Sequence, residues 1–495
     1  MQIGGLDIGT TGCKLTIFDE NGKQLNQSYY DYSESRKNIH EIDAEVILDS
    51  VWKVIKEMTT KYDDITGIGI TSFGETFILT DQEGTPLCHS LLYTDPRGKK
   101  QCEELCARLE AVRVAQISGV RPHEMYSIPK LMWLKENRPD IFRKTKHIFL
   151  MEDFIIFHLT GETKIDYSLA ARTMGFDIKK LQWSREIFMA ADIDISLMSM
   201  AVPSGTVAGT VKEAVAEETG LKTMTKIICI SHDQVAAAVG AGAFDSKIAV
   251  DGAGTVECIT PVYDQIPDIE IMSDGNYAIV PYVIPGKYVC YAFSYTGGAL
   301  LQWCINTLAK SEKELAKSQH KMVNELLESG SASPTGLLVL PHFAGAATPY
   351  MDSGSKGTII GLTTVSTVAD IYRGCMEGVV YEMVLNLEHL KKSGLTFDRL
   401  HATGGGAHST EWMQMKADML NCKMISLATV EAGTVGSAML TGVAVGLFEN
   451  LEEAAQKMVI SLKEYTPDQN MHLKYMKIYE KYKKVYQAVR PLITE

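Results

Sequence analysis

Two short turns rich in Gly and Thr, each following an aspartate, lie far apart in the 495-residue chain. The first is in the run Asp7-Ile8-Gly9-Thr10-Thr11-Gly12-Cys13-Lys14, and the second is in Val250-Asp251-Gly252-Ala253-Gly254-Thr255. Backbone N–H groups and hydroxyls in such a turn can approach phosphate oxygens. Either turn alone is also compatible with a plain hairpin. Two such turns can clamp a triphosphate from both sides, so together they favour a phosphate site.

Two charged side chains flank the first turn. Asp7 follows apolar strand residues and can hold Mg²⁺ through water, because Mg²⁺ keeps much of its hydration shell. Lys14 offers a positive charge to the β- and γ-phosphates of a nucleotide. This part of the chain therefore combines the groups that a nucleotide and its magnesium ion require.

A third glycine-rich segment is Thr403-Gly404-Gly405-Gly406-Ala407-His408-Ser409, between an apolar stretch at 395–400 and a helical pattern at 410–420. Glycines let a flat ligand approach the backbone closely, and a helix start offers free N–H donors. This arrangement suits adenosine, although an ordinary strand-to-helix loop is an alternative. The spacing differs from the dinucleotide fingerprint G-x-G-x-x-G.

Asp233, in Ser231-His232-Asp233-Gln234, is a candidate catalytic base. It stands between an apolar strand and a helix of small residues, where an N-cap role is the alternative. A helix N-terminus is expected to lower the pKa of the carboxyl group and make it a weak base. Phosphoryl transfer tolerates a weak base because the hydroxyl proton leaves late in a loose transition state.

Two further carboxylates, Glu75 and Asp95, follow apparent strands. Glu75 belongs to Ser72-Phe73-Gly74-Glu75-Thr76, and Asp95 belongs to Asp95-Pro96-Arg97. Carboxylates at strand ends can accept hydrogen bonds from sugar hydroxyls, and ordinary loop polarity is the alternative. Both are candidate substrate ligands.

The elements that must position these residues follow an α/β order. A hairpin at 3–19, ended by Asn21-Gly22, precedes an amphipathic helix at 44–58 with Asp43 as its N-cap. A strand at 65–70 follows, and this succession is typical of an α/β domain.

The second Asp/Gly/Thr turn predicts an internal duplication with a period near half the chain. Residues 244–248 interrupt the apolar pattern, so we place the boundary there and predict domains at 1–245 and 246–495. The other predicted elements are a strand at 77–80, helices at 101–118 and 130–159, a strand at 226–231 with a helix at 233–243, and helices at 432–446 and 471–490.

Composition narrows the functional classes. The formal net charge is −13, which disfavours a non-specific nucleic-acid binder. No apolar run approaches the roughly 20 residues that span a bilayer, and the start of the chain lacks the pattern of a signal peptide. The ten cysteines include no C-x-x-C pair. We therefore expect reduced thiols in a cytoplasmic protein without nucleic-acid or membrane partners.

Taken together, these residues resemble the FGGY family of carbohydrate kinases along nearly the whole chain. The run Met125-Tyr126-Ser127-Ile128-Pro129-Lys130-Leu131-Met132-Trp133-Leu134-Lys135-Glu136-Asn137 fits the first family signature throughout. The second signature is matched in part by Gly357-Thr358-Ile359-Ile360-Gly361-Leu362, Asp370, Ile371, Met376 and Glu377, and Gly374 and Cys375 depart from it. The run 340–349 is similar to the family's Pro-rich stretch, with Ala346-Ala347 in place of Glu-Arg.

The resemblance implies two actin-like, ribonuclease H-like ATPase domains of the actin/hexokinase/Hsp70 superfamily. ATP and a small sugar or polyol would meet between them, with Mg²⁺ as a cofactor and Asp233 as the catalytic base. The implied metal residues are Asp7 and Asp233. The implied substrate residues are Glu75, Asp95, Asp233 and Gln234. The implied ATP residues are Thr10, Thr11, Lys14, Gly254, Thr255, Gly298, Gln302, Gly405, Gly406 and Thr410.

The resemblance narrows the substrate only partly. Xylulokinase-like members carry Gln-Met-His-Gly where this chain has Ser72-Phe73-Gly74-Glu75, and glycerol kinase carries Arg where Gly74 stands. Met125 stands where glycerol kinase has a substrate-binding Tyr. Loss of the Arg opens room for a longer substrate, so we expect a ketopentose such as xylulose, a deoxyhexulose or a polyol.

Three alternatives stay open at this point. One is glycerol itself as the substrate, because Glu75 and Asp233-Gln234 match glycerol kinase. Another is an actin- or Hsp70-like ATPase without a sugar substrate. The last is an acetate-type kinase, which the acidic pocket residues disfavour. A homodimer is compatible with the sequence, which does not determine the oligomeric state.

Overall fold

The computed structural model describes residues 1–35, 39–328, 333–429 and 431–493. Two open sheets dominate it, one built from strands of the N-terminal half and one from strands of the C-terminal half. None of the helices in these ranges is long and apolar enough to cross a membrane.

The N-terminal half alternates strands and helices. Its strands are β1 (Gln2–Ile8), β2 (Gly12–Phe18), β3 (Gln24–Asp31), β4 (Glu41–Ile42), β5 (Ile65–Ser72), β6 (Ile78–Thr80), β7 (Ser90–Leu91), β8 (His147–Phe149), β9 (Lys164–Asp166), β10 (Phe176–Asp177), β11 (Gln182–Trp183), β12 (Met200–Val202), β13 (Thr206–Thr210) and β14 (Lys226–His232). Its helices are α1 (Ala44–Thr59), α2 (Lys99–Leu109), α3 (Ala111–Ser118), α4 (Ser127–Asn137), α5 (Pro139–Phe142), α6 (Met151–Thr160), α7 (Tyr167–Ala171), α8 (Arg185–Ala191), α9 (Glu213–Thr219) and α10 (Asp233–Gly240).

The C-terminal half repeats this composition. Its strands are β15 (Ile248–Ala253), β16 (Glu257–Tyr263), β17 (Ile279–Pro281), β18 (Tyr288–Cys290), β19 (Ala292–Ser294), β20 (Leu338–Leu340), β21 (Thr358–Ile360), β22 (Arg399–Thr403), β23 (Lys423–Leu427) and β24 (Ser461–Tyr465). Its helices are α11 (Ile269–Asp274), α12 (Gly298–Thr307), α13 (Lys310–Ser318), α14 (Val323–Glu328), α15 (Val368–Leu390), α16 (Thr410–Leu420), α17 (Ala432–Val445), α18 (Leu451–Met458), α19 (Gln469–Tyr482) and α20 (Val485–Ile493).

The two sheets share one topology, which confirms the predicted α/β fold with two actin-like halves. The first has the order β13-β14-β5-β1-β2-β3, and the second has the order β17-β18-β16-β15-β22-β23-β24, with β19 also paired to β16. In each sheet a hairpin, β1-β2 or β15-β16, is followed by two parallel strands, β5 and β14 or β22 and β23, and by an antiparallel edge strand. The predicted division at 245/246 falls between β14 and β15.

Helix α1 shows why the local predictions hold in the first half. Its apolar residues recur every three or four positions, and Ile47, Val51, Val54, Ile55 and Met58 are buried against the first sheet. The Asp43 carboxylate accepts a hydrogen bond from the backbone N–H of Glu45 and caps the helix.

Two helices cross between the halves, α10 from the first and α17 from the second. Gly240 and Gly436 lie at the crossing, where an added Cβ would overlap the carbonyl oxygens of Ala432 and Ala236, respectively. Helix α17 also packs on the first sheet. There the Ser437 hydroxyl donates a hydrogen bond of 2.8 Å to the carbonyl of Gly69 in β5. This close crossing fixes the two phosphate turns relative to each other.

The continuous helix predicted at 130–159 is wrong. Helix α4 ends at Asn137, because Pro139 lacks an N–H and disfavours a helical conformation at the residue before it. Strand β8 then interrupts the segment before α6. The C-terminal helix predicted at 471–490 is likewise two helices, α19 and α20.

Candidate active site

The first phosphate turn connects β1 to β2. The backbone N–H of Gly9 donates to the carbonyl of Gly12 at 2.9 Å, and the N–H of Tyr32 donates to the carbonyl of Thr11 at 2.9 Å. Asp7 lies opposite Lys14 in the hairpin register. The turn is therefore held by its own backbone and by the start of the next loop.

The charges at this turn link the two halves. Burial raises the pKa of Asp7 to about 6, and the nearby Lys14 opposes that rise. The Lys14 ammonium lies 2.5 Å from the carboxylate of Glu431, which directly precedes α17. The lysine predicted to meet a phosphate chain thus has a carboxylate partner supplied by the C-terminal half.

The second turn connects β15 to β16 and is anchored to the start of α12. The N–H groups of Gly297 and Ala299 donate to the carbonyl of Thr255 at 2.9 and 3.0 Å, and the N–H of Gly298 donates to the carbonyl of Gly254 at 2.9 Å. An added Cβ at Gly298 would lie 2.8 Å from that carbonyl, so only glycine permits this approach.

A buried charge cluster lies behind the second turn. The Lys416 ammonium lies 2.7 Å from the Asp251 carboxylate, it also donates to Glu257, and all three side chains are 1 % exposed. Burial alone would lower the pKa of Lys416, but Asp251 and Glu257 outweigh it and hold that pKa above its usual range. Burial and Asp251 raise the pKa of Glu257. The cluster ties the turn to α16.

A cavity of about 790 Å³ in the C-terminal half collects five of the predicted ATP residues. It is lined by Gly298, Gln302, Gly405, Gly406 and Thr410, together with Glu328, Tyr372 and Trp412 among others. The glycine loop carries a short 3-10 turn at Gly405–His408, and the Ser409 hydroxyl caps α16 by accepting the N–H of Trp412 at 3.0 Å. The structure thus brings these five residues together between the first turns of α12 and the start of α16.

A second cavity, of about 240 Å³, lies between the halves and contains the candidate base. Its N-terminal wall is formed by Thr10, Phe73, Gly74, Glu75, Tyr93, Met125, Arg172, His232, Asp233 and Gln234. Its C-terminal wall is formed by Val256, Cys258, Tyr291, Phe293 and Tyr295. Because Thr10 and Val256 adjoin the two phosphate turns, this cavity meets the phosphate-binding region.

Asp233 is the first residue of α10, and its side chain is 31 % exposed. One carboxylate oxygen accepts the N–H of Gln234 at 2.6 Å and lies 3.3 Å from Nε2 of His232. The pKa of Asp233 is raised to about 8, first by burial in the narrow cavity and then by the negative charge of Asp7. The predicted lowering of this pKa is wrong, because these two effects outweigh the helix N-terminus.

Glu75 and Arg172 form a buried pair in the same cavity. Glu75 has a left-handed backbone, with φ of 61°, and its carbonyl accepts the Ser127 hydroxyl at 2.6 Å. The Nε of Arg172 donates to the Glu75 carboxylate at 2.6 Å. Sequence reasoning missed Arg172, because nothing in its helical segment indicates that a charged side chain there is buried.

Asp95 stands apart from the other predicted substrate residues. It is 2 % exposed, and Nε of Arg97 donates to both of its oxygens at 2.9 Å. Arg97 in turn pairs with Glu41. The Asp95 carboxylate lies outside the group of residues that line the cavity, so its role as a substrate ligand stays a prediction.

The two predicted metal residues, Asp7 and Asp233, are close enough for the charge of Asp7 to raise the pKa of Asp233. A cluster of three or more His, Cys, Asp or Glu residues suited to a metal is absent from the described ranges. Mg²⁺ does not require one, since it binds one or two carboxylates and completes its shell with water and phosphate oxygens. The donor set fits Mg²⁺ bound together with a nucleotide.

Comparison with known proteins agrees with this geometry. The N-terminal domain of the FGGY family of carbohydrate kinases matches residues 2–240, and its C-terminal domain matches residues 268–445. The xylulose kinase of Lactococcus lactis is 29 % identical over 98 % of this chain and 96 % of its own length. The glycerol kinase of Thermococcus kodakarensis is 29 % identical over 91 % of this chain and 90 % of its own.

Solved structures show the same fold. A gluconate kinase and a xylulose kinase, both from Lactobacillus acidophilus, superpose with TM-scores of 0.89. Each is 24 % identical and covers 99 % of this chain and 98 % of its own. With the duplicated fold, the two cavities and the matches to both family domains in place, we conclude that the chain belongs to the FGGY family of carbohydrate kinases and is an ATP-dependent kinase of a small sugar or polyol.

Proposed function

We propose that this kinase phosphorylates a hydroxyl of a ketopentose such as xylulose, or of a polyol of similar length, with Asp233 as the catalytic base. The observation that carries the proposal is the cavity between the halves, which Asp233 lines together with Glu75 and Gln234 beside both phosphate turns. Curated relatives that cover nearly the whole chain include xylulose kinases, which supports a five-carbon substrate.

Asp233 is suited to take the proton of the hydroxyl that attacks ATP. A base works best when its pKa lies near the operating pH, and the pKa of Asp233 is raised to about 8. Because the transition state of phosphoryl transfer is loose, positioning and neutralisation of charge carry most of the rate. Thr10, Thr11 and Thr255 would orient the phosphates from the two turns.

We further propose that Asp7 and Asp233 hold Mg²⁺ when ATP is bound. Burial raises the pKa of Asp7 and of Asp233, and the charge of Asp7 raises that of Asp233 further. A bound cation would favour the ionised form of both carboxyls. The ion would neutralise charge on the phosphates. Lys14 would contribute a further positive charge once the phosphate chain displaces Glu431.

The first test is Asp233→Asn. Loss of a general base costs about 10²- to 10⁴-fold in rate, so sugar phosphorylation should fall by that factor while ATP binding stays nearly unchanged. Asp140→Asn is the matched control, because Asp140 also lies in the first turn of a helix but is exposed. Near-normal turnover of Asp233→Asn in a coupled ADP-release assay would exclude it as the base.

Glycerol is the second candidate substrate. Glu75 and the Asp233-Gln234 pair favour it, as do glycerol kinases among the relatives. The cavity of about 240 Å³ favours a longer substrate. A panel of three- to six-carbon sugars, sugar acids and polyols separates these possibilities by kcat/KM. ATP hydrolysis that ignores every added sugar would instead indicate an ATPase without a sugar substrate.

We also propose a cytoplasmic location. All ten cysteines are free thiols in the structure, and most of them are buried. Reduced thiols are typical of the cytosol. Localisation of the tagged chain by fractionation checks this, and recovery outside the cytosolic fraction would contradict it.

A further inference from the structure

Arg172 directly follows the short helix α7 and is held rigidly in the wall of the substrate cavity. Its Nε donates to a Glu75 oxygen at 2.6 Å, and its Nη2 pairs with the same oxygen. The guanidinium carbon lies 5.4 Å from the centre of the Tyr126 ring and 5.3 Å from that of the Tyr291 ring. The carboxylate and the two rings therefore fix the direction of every N–H of this group.

The third nitrogen of the guanidinium, Nη1, is buried and has no hydrogen-bond partner within the described ranges. A buried donor that stays unpaired is costly. The Arg172 side chain is 8 % exposed, and it lines the cavity that also contains Asp233. Because Nη1 itself has almost no accessible surface, a substrate oxygen would pair with it only after a small shift of the surrounding side chains.

Arg172 also adjoins a space that does not contain the base. It lines a second, smaller cavity together with Arg121, His123 and Asn276, and Asp233 is not among the residues that line this one. Arg172 therefore stands where the two spaces meet. A sugar whose reacting hydroxyl lies at Asp233 would present its opposite end to Arg172.

The glycine at position 74 makes room for this arginine. An added Cβ at Gly74 would lie 3.1 Å from both Cβ and Cγ of Arg172 and 3.0 Å from Cδ2 of His232. A side chain at position 74 would therefore crowd Arg172, whose stem would have to yield by a few tenths of an ångström.

We propose that Arg172 is a specificity-determining residue, which binds an oxygen atom at the end of the substrate opposite the phosphorylated hydroxyl. The inference rests on the proposed sugar kinase activity and narrows its substrate class. A pocket built to donate a hydrogen bond rejects an analogue that lacks the acceptor more strongly than an apolar pocket rejects an added group. Ketoses and polyols with oxygen at both ends are favoured, and deoxy sugars with a methyl group at the Arg172 end are disfavoured.

The test compares two substrates in three proteins. The substrates are the best sugar of the panel and its analogue with a methyl group at the end remote from phosphorylation, such as xylulose and 1-deoxyxylulose. The proteins are the wild type, Arg172→Met, and the double variant Arg172→Met/Glu75→Gln. The double variant removes the carboxylate that Arg172→Met alone leaves buried and unpaired, so a usable protein remains if the single variant unfolds.

In the wild type we expect kcat/KM for the deoxy sugar to be lower than kcat/KM for the parent sugar by a factor of about 10² or more. Sites that form a hydrogen bond to a polar substrate group discriminate to this extent. In the Met variants this ratio should collapse to within a few fold, while KM for ATP stays unchanged. A merely structural role would lower the activity on both sugars equally and leave the ratio intact.

The outcomes separate this inference from the proposed function. Turnover of sugars with no discrimination in the wild type, or with the same ratio in the Met variants, would overturn the role of Arg172 alone. Absence of any sugar-dependent turnover in the wild type would overturn the proposed function and this inference with it. Arg172→Lys, which keeps the charge but not the planar fork, should recover only part of the discrimination.

Discussion

Asp7 and Asp251 stand at matching places in the two halves, each one residue before the end of the parallel pairing of its sheet. Asp7 is partly exposed, and its charge raises the pKa of Asp233 in the cleft. Asp251 is 1 % exposed and is bound by Lys416. The two sheets therefore share a topology but use the aspartate at this position in opposite ways. One turn keeps a carboxylate available to a ligand, and the other uses its carboxylate to anchor the turn to α16.

The largest effect on stability should come from the second turn, which Lys416 anchors to α16. Lys416→Met leaves Asp251 and Glu257 buried without their cation, and breaking a buried pair costs about 3–5 kcal/mol of unfolding free energy. Chemical denaturation followed by tryptophan fluorescence measures this loss. Lys423→Met is the control, because Lys423 pairs with Glu464 at 2.8 Å on the surface and such pairs contribute about 0–1 kcal/mol. Equal losses in the two variants would mean that the cluster does not anchor the turn.

The next two predictions compare how Asp7 and Asp251 affect the unfolding free energy. The pKa of Asp7 is about 6 in the fold and about 3.9 in the unfolded chain. Between these values the folded state binds more protons, so its stability falls as pH rises through that window. Asp7→Asn removes this cost and should raise the unfolding free energy at pH 8 by about 1–3 kcal/mol. It should also lower magnesium-dependent turnover by about 10²-fold or more, the size of a lost electrostatic contact to the transition state.

Asp251→Asn should act in the opposite direction. It weakens the bonds to Lys416 and should cost about 1–3 kcal/mol of unfolding free energy, as for a lost hydrogen bond to a charged group. Thermal unfolding of both variants at pH 8 gives the two signs in one experiment. If the two variants shift stability in the same direction, the contrast between the turns is wrong.

A smaller effect is expected at the rim of the first turn. Lys14→Met should raise KM for ATP about tenfold, since a charge-assisted bond to phosphate is worth about 1.5–3 kcal/mol. Glu431→Gln should lower KM slightly, because Glu431 competes with the phosphates for Lys14. Initial rates at varied ATP measure both. A rise in KM for both variants would show that the pair only holds the two halves together.

The strands, loops and helices around both turns could be predicted because the sequence signals for them are local. The helix predicted at 410–420 is α16 at the same bounds, and Gly405 and Gly406 line the cavity of about 790 Å³ next to it. Hairpins and strand-to-helix loops depend on a few neighbouring residues, which the sequence displays directly.

The electrostatics could not be predicted because they depend on distant partners. Lys416 meets Asp251 across 165 positions of the chain, and Arg172 meets Glu75 across 97. The local rule for a helix N-terminus gave the wrong direction for the pKa of Asp233, since burial and Asp7 decide it. The charge states of these side chains depend on tertiary packing, which the periodicity of the sequence does not show.

The smallest predicted effect is a shift in the pH profile that only the first turn can cause. Protonated Asp233 cannot accept the hydroxyl proton, so kcat/KM for the sugar should rise with pH up to the pKa of Asp233, which is about 8 without a cation and lower once Mg²⁺ is bound. Removing the charge of Asp7 lowers that pKa, so the rising limb of the residual activity of Asp7→Asn should move down by roughly 0.5–1 pH unit, the effect of one nearby charge in a largely aqueous cleft. Asp251→Asn should leave the limb in place, because its charge is already paired with Lys416. Equal shifts in both variants would mean that the two turns influence the base alike.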